Sequence, residues 1–305
     1  INELENKITI FHATIYKDIS EEIDIDLIGF HGQTLYHNPL EKISLQIGNG
    51  NLLHQLTKKK LVYNFRKKDI ENGGEGAPLT PIFHKYLLKS KEIELPACIL
   101  NIGGISNITL VPNLKDQEIS SLDVGPGNCL INNWIQAHTK EKYDFEGRIS
   151  EKGTINEIIL EQALETHENN FQKKNNFSLD TNDFDISFAR GLNLEDGAAT
   201  LTEFTAKIIS SKINSFLKKK EYDKKNVKII ICGGGRKNFS LVKKIKSNST
   251  NNLFFNSSEK FGLDGDFIES QAFGYLAIRS ILSLPISFPS TTGCMAPCSG
   301  GVLIG

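Results

Sequence analysis

The stretch ILNIGGISNITL, Ile99–Leu110, decides the fold. One apolar run stops at Ile102, two glycines follow, and a second run starts at Ile105. Short apolar runs on either side of a Gly-Gly turn read as a buried β-hairpin. Two related units follow along the chain. SSLDVGPGNCLINNW, Ser120–Trp134, reads as a strand stopping at Asp123, a turn through Gly125, Pro126 and Gly127, and a helix entered at Asn128. VKIIICGGGRKNFSLVKKI, Val227–Ile245, reads as an apolar strand, a triple glycine at Gly233, Gly234 and Gly235, and a helix. Glycine lets backbone come close to a ligand, and successive N–H groups in such a turn form a nest for an anion. A helix starting there adds a favourable dipole. One glycine turn is only a tight turn; three at successive strand ends point to phosphate. The spacings Gly-x-x-x-x-Gly-Lys-Ser/Thr and Gly-x-Gly-x-x-Gly are both missing, which sets aside P-loop and dinucleotide folds.

Around these units the chain alternates strands and helices. DIDLIGFHGQ gives a strand at Leu27–Phe30, and KISLQIGNGNLLHQLT gives a strand, a turn and a short helix. KLVYNFR is another strand, and GGEGAPLTPIFHKYLLKS is a glycine loop followed by a helix with Pro81 in its first turn. Ile155, Ile158, Ile159 and Ala163 mark one helical face, and Leu201, Phe204, Ile208, Ile213, Phe216 and Leu217 mark another. DGDFIESQAFGYLAIRSIL is a largely buried helix. The expected class is α/β, with mixed sheets flanked by helices.

Bulk properties narrow the function. A chain of 305 residues is more than one core usually fills, so two domains are expected. With a net charge of −1, no nucleic-acid or membrane surface is expected. The Lys58–Lys60 and Lys218–Lys220 runs sit beside acidic residues and read as solvated surface. No apolar run reaches the length of about 18 residues that a membrane helix needs. The five cysteines, Cys98, Cys129, Cys232, Cys294 and Cys298, are scattered and odd in number. They read as reduced thiols of a cytoplasmic protein. Cys294 and Cys298 lack the two-residue zinc spacing and read as structural, and His31 with His37 lacks a third ligand, so no metal site is expected. The sequence starts at Ile1 and its sole methionine is Met295, so it reads as shortened at its N-terminus.

The order hairpin, strand-Asp-x-Gly turn, strand-triple-glycine-helix and acidic helix start resembles the second domain of the actin, hexokinase and heat-shock-chaperone ATPase superfamily. GFHGQTLYHNP, LQIGN, FRKKDIENGGEGAPLTPIFH, LNIGGISN, LDVGPGN, ATLTEFTA, CGGG and ESQAFGYLA together resemble the anhydro-N-acetylmuramic acid kinase family. That resemblance implies an actin-like (ribonuclease H-like) ATPase fold of two domains with a central cleft. Residues 1–94 with the tail 277–305 would form the first domain, and 95–276 the second. It implies ATP and Mg2+, an amino-sugar substrate, opening of the 1,6-anhydro bridge by water, phosphorylation of O6, and a place in cell-wall recycling. It implies that Asp123 is the base and that Glu269 lies near the sugar. Arg66, Asp69, His31 and Gln33 look like sugar-site residues. Gly103, Gly104, Ser106, Gly125, Gly127, Asn128, Gly233, Gly234 and Gly235 would hold ATP, and the family's tendency to dimerise carries over.

The residues alone leave alternatives open. Asp123 also reads as a helix cap, Glu269 as an acid favoured in a first helical turn, Arg66 with Asp69 as a surface ion pair, and His84 as a packed residue. The family's opening Gly-Thr-Ser-x-Asp-Gly phosphate loop does not occur between Ile1 and Asp26, so little kinase activity is expected of the chain as it stands. Asn64 stands where the family often has Asp, Glu75 where Gln is common, and NNFSLDTNDF replaces a stretch that usually carries Pro and Lys. Two other readings remain: another sugar or acyl kinase of the superfamily acting on a free hydroxyl, and a non-catalytic sugar-binding homologue.

Overall fold

In a computed structural model, which describes residues 2–38, 41–171 and 179–305, the chain divides into two compact units. The first comprises residues 1–90, 114–121 and 269–305, and the second 91–113 and 122–268.

The second unit is built on the stretch that opens the sequence argument. β5 (Ala97–Ile102) and β6 (Ile105–Val111) pair antiparallel across the Gly103-Gly104 turn, with Ile102 opposite Ser106. β8 (Val227–Cys232) adds parallel to β5, and β9 (Leu253–Ser257) adds parallel to β8. With β7 (Ser120–Pro126) on the other edge, the order is β7-β6-β5-β8-β9. The central strands are apolar because both faces are covered: Cys98, Ile99, Leu100, Ile229 and Ile230 are fully buried. The helix Leu194–Lys219 supplies much of the cover. Asn193 caps it by accepting from the Asp196 N–H at 2.8 Å, Glu195 and Asp196 occupy its first turn, and Lys218 and Lys219 its last. Trp134 is buried in the same core and donates its indole N–H to the Leu194 carbonyl at 2.9 Å.

In the first unit, β1 (Leu27–Phe30) lies parallel to β4 (Lys60–Tyr63), and β10 (Val302–Ile304) runs antiparallel to β4. β2 (Gln33–Asn38) and β3 (Ile43–Ile47) form a separate antiparallel ribbon with an irregularity between Thr34 and Tyr36. The helix Ile268–Ile281 belongs here from Glu269 onward. Its Arg279 guanidinium donates to Asp116 at 3.2 Å and to the Pro285 carbonyl at 2.7 Å.

Three local readings need correction. The helix Asn2–Ser20 has no counterpart in the sequence reading, because its apolar residues do not share one buried face. Leu4, Ile10, Phe11, Ile15 and Ile19 are exposed, while the residue it buries is Thr9, which donates to the Glu5 carbonyl and accepts from the Asn49 N–H. In the helix Glu157–Phe171, Leu160 and Ala163 face the core and Ile158 is 71% exposed, so the inward stripe is shifted from the one expected. β7 does not stop at Asp123 but continues through Pro126. The departure in NNFSLDTNDF falls in part on residues 172–178, outside the described residues.

His84, on the helix Pro81–Ser90, is 2% exposed, and burial pushes its pKa down to about 3. The folded chain therefore holds it neutral where the unfolded chain, near 6.5, takes up a proton. The unfolded state binds more protons below pH 6.5, so stability falls as pH drops from there toward about 3. Denaturant midpoints should show a loss from this residue of about 2 kcal/mol between pH 7 and pH 5. His84→Gln should flatten that slope; an unchanged slope would assign the acid sensitivity elsewhere.

Candidate functional site

The parallel alignment of β5 and β8 brings the Gly103-Gly104 turn and the triple glycine to the same edge of the sheet, outside the carboxyl ends of the strands. That is where open α/β sheets bind ligands. The third glycine turn is tied to the first by backbone. Gly127 N–H donates to the Gly104 carbonyl at 2.8 Å, and Asn128 N–H donates to the Gly103 carbonyl at 2.7 Å. Ser106 is fully buried and donates to the Pro126 carbonyl at 3.3 Å. Its visible work is to hold the two turns together. The third turn meets the triple glycine as well: a Cβ on Gly235 would lie 3.0 Å from the Asn128 side-chain nitrogen.

Two glycines explain the shape. A Cβ on Gly127 would lie 2.2 Å from the Gly103 carbonyl oxygen, so only glycine permits that approach. Gly125 has φ +140°, and a Cβ there would lie 2.6 Å from Ile208 on the helix Leu194–Lys219. Gly125 is therefore needed for helix packing. Gly234 differs: a Cβ there would meet nothing within 4 Å. Its open side faces a cavity of about 460 Å³ lined by Asn128, Tyr143, Phe145, Lys237 and Phe239 among others. Phe145 and Phe239 are more than half exposed, and the Arg148 guanidinium lies 4.9 Å from the Phe145 ring centre. Sequence reasoning passed over Tyr143, Phe145 and Phe239; the only signal was large aromatics in otherwise polar segments.

Arg236 was also missed. Its guanidinium donates to the Gly233 carbonyl at 2.9 Å, to Asp266 at 2.7 Å and to Glu259 at 2.6 Å. Lys237 adds a bond to Asp266 at 2.6 Å. The triple-glycine turn is thus stapled to the loop before residue 268. Hydrogen bonds from Arg236 and Lys237 hold the Asp266 carboxyl well below the usual range. For Glu259 burial pushes upward, but hydrogen bonds from Ser257 and Arg236 outweigh it and bring the pKa down to about 2.

Asp123 sits on β7 four residues before Gly127, half-buried, and its Oδ2 accepts from the Leu179 N–H at 2.7 Å. It does not act as the side-chain cap of the helix Cys129–His138, whose N-cap residue is Asn128. A strand thus carries the carboxylate into the turn at Gly127.

The remaining predicted residues lie in the first unit. Arg66 Nε donates to His31 Nε2 at 3.2 Å, and the His31 ring lies 4.4 Å from Phe273. Burial, and then the Arg66 charge, push the His31 pKa down to about 4, so His31 is a neutral acceptor at pH 7. Gln33 opens β2 and is exposed. Asp69 is 1% exposed; its oxygens accept from the Gly76 N–H and the Thr292 hydroxyl, both at 2.7 Å. It therefore holds the Gly73–Gly76 loop rather than a solvent-facing ligand. Glu269 is exposed in the first turn of the helix Ile268–Ile281.

A family profile described as anhydro-N-acetylmuramic acid kinase matches residues 3–305. An anhydro-N-acetylmuramic acid kinase of Pelagibacter ubique (strain HTCC1062) is 53% identical over 306 residues, spanning 100% of this chain and 81% of that relative. The kinase of the same name from Zymomonas mobilis subsp. mobilis is 37% identical over 306 residues, spanning 99% of this chain and 80% of its own. Among solved structures, an activator of the 2-hydroxyisocaproyl-CoA dehydratase from Clostridium difficile with bound ADPNP aligns with a TM-score of 0.40 and 11% identity over 77% of this chain and 84% of that one.

Proposed function

The chain belongs to the anhydro-N-acetylmuramic acid kinase family, and from that premise we propose how its residues divide the reaction. The family is a phosphotransferase of cell-wall recycling: ATP, 1,6-anhydro-N-acetylmuramic acid and water give N-acetylmuramic acid 6-phosphate and ADP. The sugar's O6 carries no proton, being locked in the anhydro bridge. Asp123 takes a proton from a water whose oxygen attacks C1. The C1–O6 bond breaks with its electron pair going to O6, and O6 then bonds to the γ-phosphorus as ADP leaves. A general base of this kind contributes about 10²- to 10⁴-fold.

The backbone N–H groups of Gly104, Gly234 and Gly235 receive the phosphates, where donors aimed at developing charge are most effective, while those of Gly103, Gly127 and Gly233 donate within the protein and hold the turns in shape. The open side of Gly234 and the aromatic cavity of Tyr143, Phe145 and Phe239 fit a purine. Arg66 suits the lactyl carboxylate because its planar fork can donate two parallel hydrogen bonds. Mg2+, which typically keeps several waters and binds largely through phosphate oxygens, would supply charge neutralisation with the nucleotide. A cytoplasmic place for the reaction is part of the same proposal; among the described residues no helix is long and apolar enough to cross a membrane. A dimer would appear as twice the chain mass in sedimentation.

The observation that carries this reading is the interlocking of the turns at Gly104 and Gly127, with Asp123 on the strand that leads into the second of them. Water labelled with oxygen-18 tests it. The label is expected at C1 of the product sugar from the first turnover. A phosphorylated sugar with no label at C1 would instead identify a kinase acting on a free hydroxyl.

A further inference from the structure

Asp69, Cys294 and Cys298 lie apart in the sequence, yet one carboxylate oxygen and both thiol sulfurs lie within 4.8 Å of one another. We propose that these three side chains form a binding site for a thiophilic divalent cation, with Zn2+ as the physiological case.

Each donor is held by its own support. The helix Pro289–Thr292 ends at Gly293, with φ +74°, and the chain turns there to place Cys294 inward at 1% exposure. Cys298 is fixed by backbone: its N–H donates to Ser287 at 3.1 Å, and its carbonyl accepts from the Ile286 N–H at 2.8 Å. Asp69 is held by Gly76 and Thr292, each of which takes one oxygen. A carboxylate oxygen has a second lone pair, so these bonds orient the group and leave capacity for a cation.

The distances fit as well. Cys298 Sγ lies 4.0 Å from Asp69 Oδ1 and 3.0 Å from the Ser287 hydroxyl, which is 4.0 Å from Cys294 Sγ. With Zn–S about 2.3 Å and Zn–O about 2.0–2.2 Å, tetrahedral donors stand about 3.5–3.8 Å apart. A side-chain adjustment of about 1 Å at most brings the three onto one ion. The sequence reading took both cysteines as structural because they lack the two-residue zinc spacing and a second pair. The third ligand is supplied by residue 69, which no local spacing could reveal.

Such an ion would clamp two segments already zipped together. Met295 N–H donates to the Asn72 carbonyl at 2.9 Å, Glu75 N–H to the Thr292 carbonyl at 2.8 Å, and the Asn72 side chain to the Ala296 carbonyl at 2.6 Å. The cation would fix the Gly73–Gly76 loop to the 292–298 segment independently of the kinase reading.

Cd2+ alone serves as the probe, because cadmium–thiolate bonds give a near-ultraviolet charge-transfer band. The reduced, chelator-washed chain should show that band saturating at one Cd2+ per chain, and Zn2+ should compete it away. Cys294→Ala and Cys298→Ala should each weaken binding by about 100-fold or more, while Cys98→Ala should leave it unchanged. Zn2+ should raise the melting temperature of the parent chain and not of Cys298→Ala. Asp69→Asn should also weaken binding; because Asp69 holds a loop, the cysteine variants are the deciding ones. A band that persists in the Cys294→Ala/Cys298→Ala double variant overturns the site. So does the absence of any saturable Cd2+ band from the reduced parent chain.

Discussion

In a parent protein that carries the family's opening phosphate loop, Asp123→Asn is expected to leave ATP and sugar binding within a few-fold and to lower kcat by about 10²- to 10⁴-fold. Asparagine keeps an oxygen that can accept from the Leu179 N–H, so the local structure should survive. What it loses is the ability to take a proton from water at neutral pH. An effect on kcat with little change in KM separates a group acting only in the transition state from one that binds the ground state. Calorimetric binding of ATP and of the anhydro sugar, measured beside single-turnover rates, checks both halves. Turnover within ten-fold of the parent would move the base elsewhere; loss of binding as well would make Asp123 a structural or binding residue.

Gly127→Ala is expected to lower kcat/KM by about 100-fold, and Gly234→Ala provides its contrast. At Gly127 the new methyl would press on the Gly103 carbonyl at 2.2 Å, and both partners are backbone. The two turns must part, breaking bonds of 2.7 and 2.8 Å. Displacing catalytic groups by about 1 Å can cost about 10²-fold in rate, and overpacking costs about 1–3 kcal/mol of stability. At Gly234 the methyl meets open space, so stability should change by no more than about 0.5 kcal/mol. If that space holds the nucleotide, Gly234→Ala should still raise the KM for ATP. Equal ATP affinity in both variants and the parent would remove these turns from the nucleotide site.

Much of the fold was legible because its signals are local. The Ile99–Leu110 hairpin needs only apolar runs around Gly103-Gly104, and β8 needs only an unbroken apolar stretch before the triple glycine. The helix Leu194–Lys219 carries its cap, its end charges and its stripe within its own sequence. The helix Asn2–Ser20 was illegible for the converse reason. Its contacts depend on Glu5 and Thr9 accepting from Gly48 and Asn49, and its larger apolar residues point outward. Periodicity reads a helix by its large apolar residues, and here the docked face is carried instead by Glu5, Thr9, His12 and Ala13.

The candidate site divides in the same way. Sequence alone determined that three strand ends carry glycine and that Asp123 stands beside one of them; the resemblance then supplied the chemistry. Only the tertiary structure separated the jobs of those glycines: Gly125 makes room for Ile208, Gly127 lets two backbones meet, and Gly234 leaves space open. It alone turned Asp69 inward onto Gly76 and Thr292, brought Cys294 and Cys298 to it, and placed Arg236 under the triple glycine. The physical reason is range. Turn geometry and strand pattern follow from neighbouring residues along the chain, whereas a carboxylate's partners and the space beside a glycine are set by segments that meet only once the chain has packed.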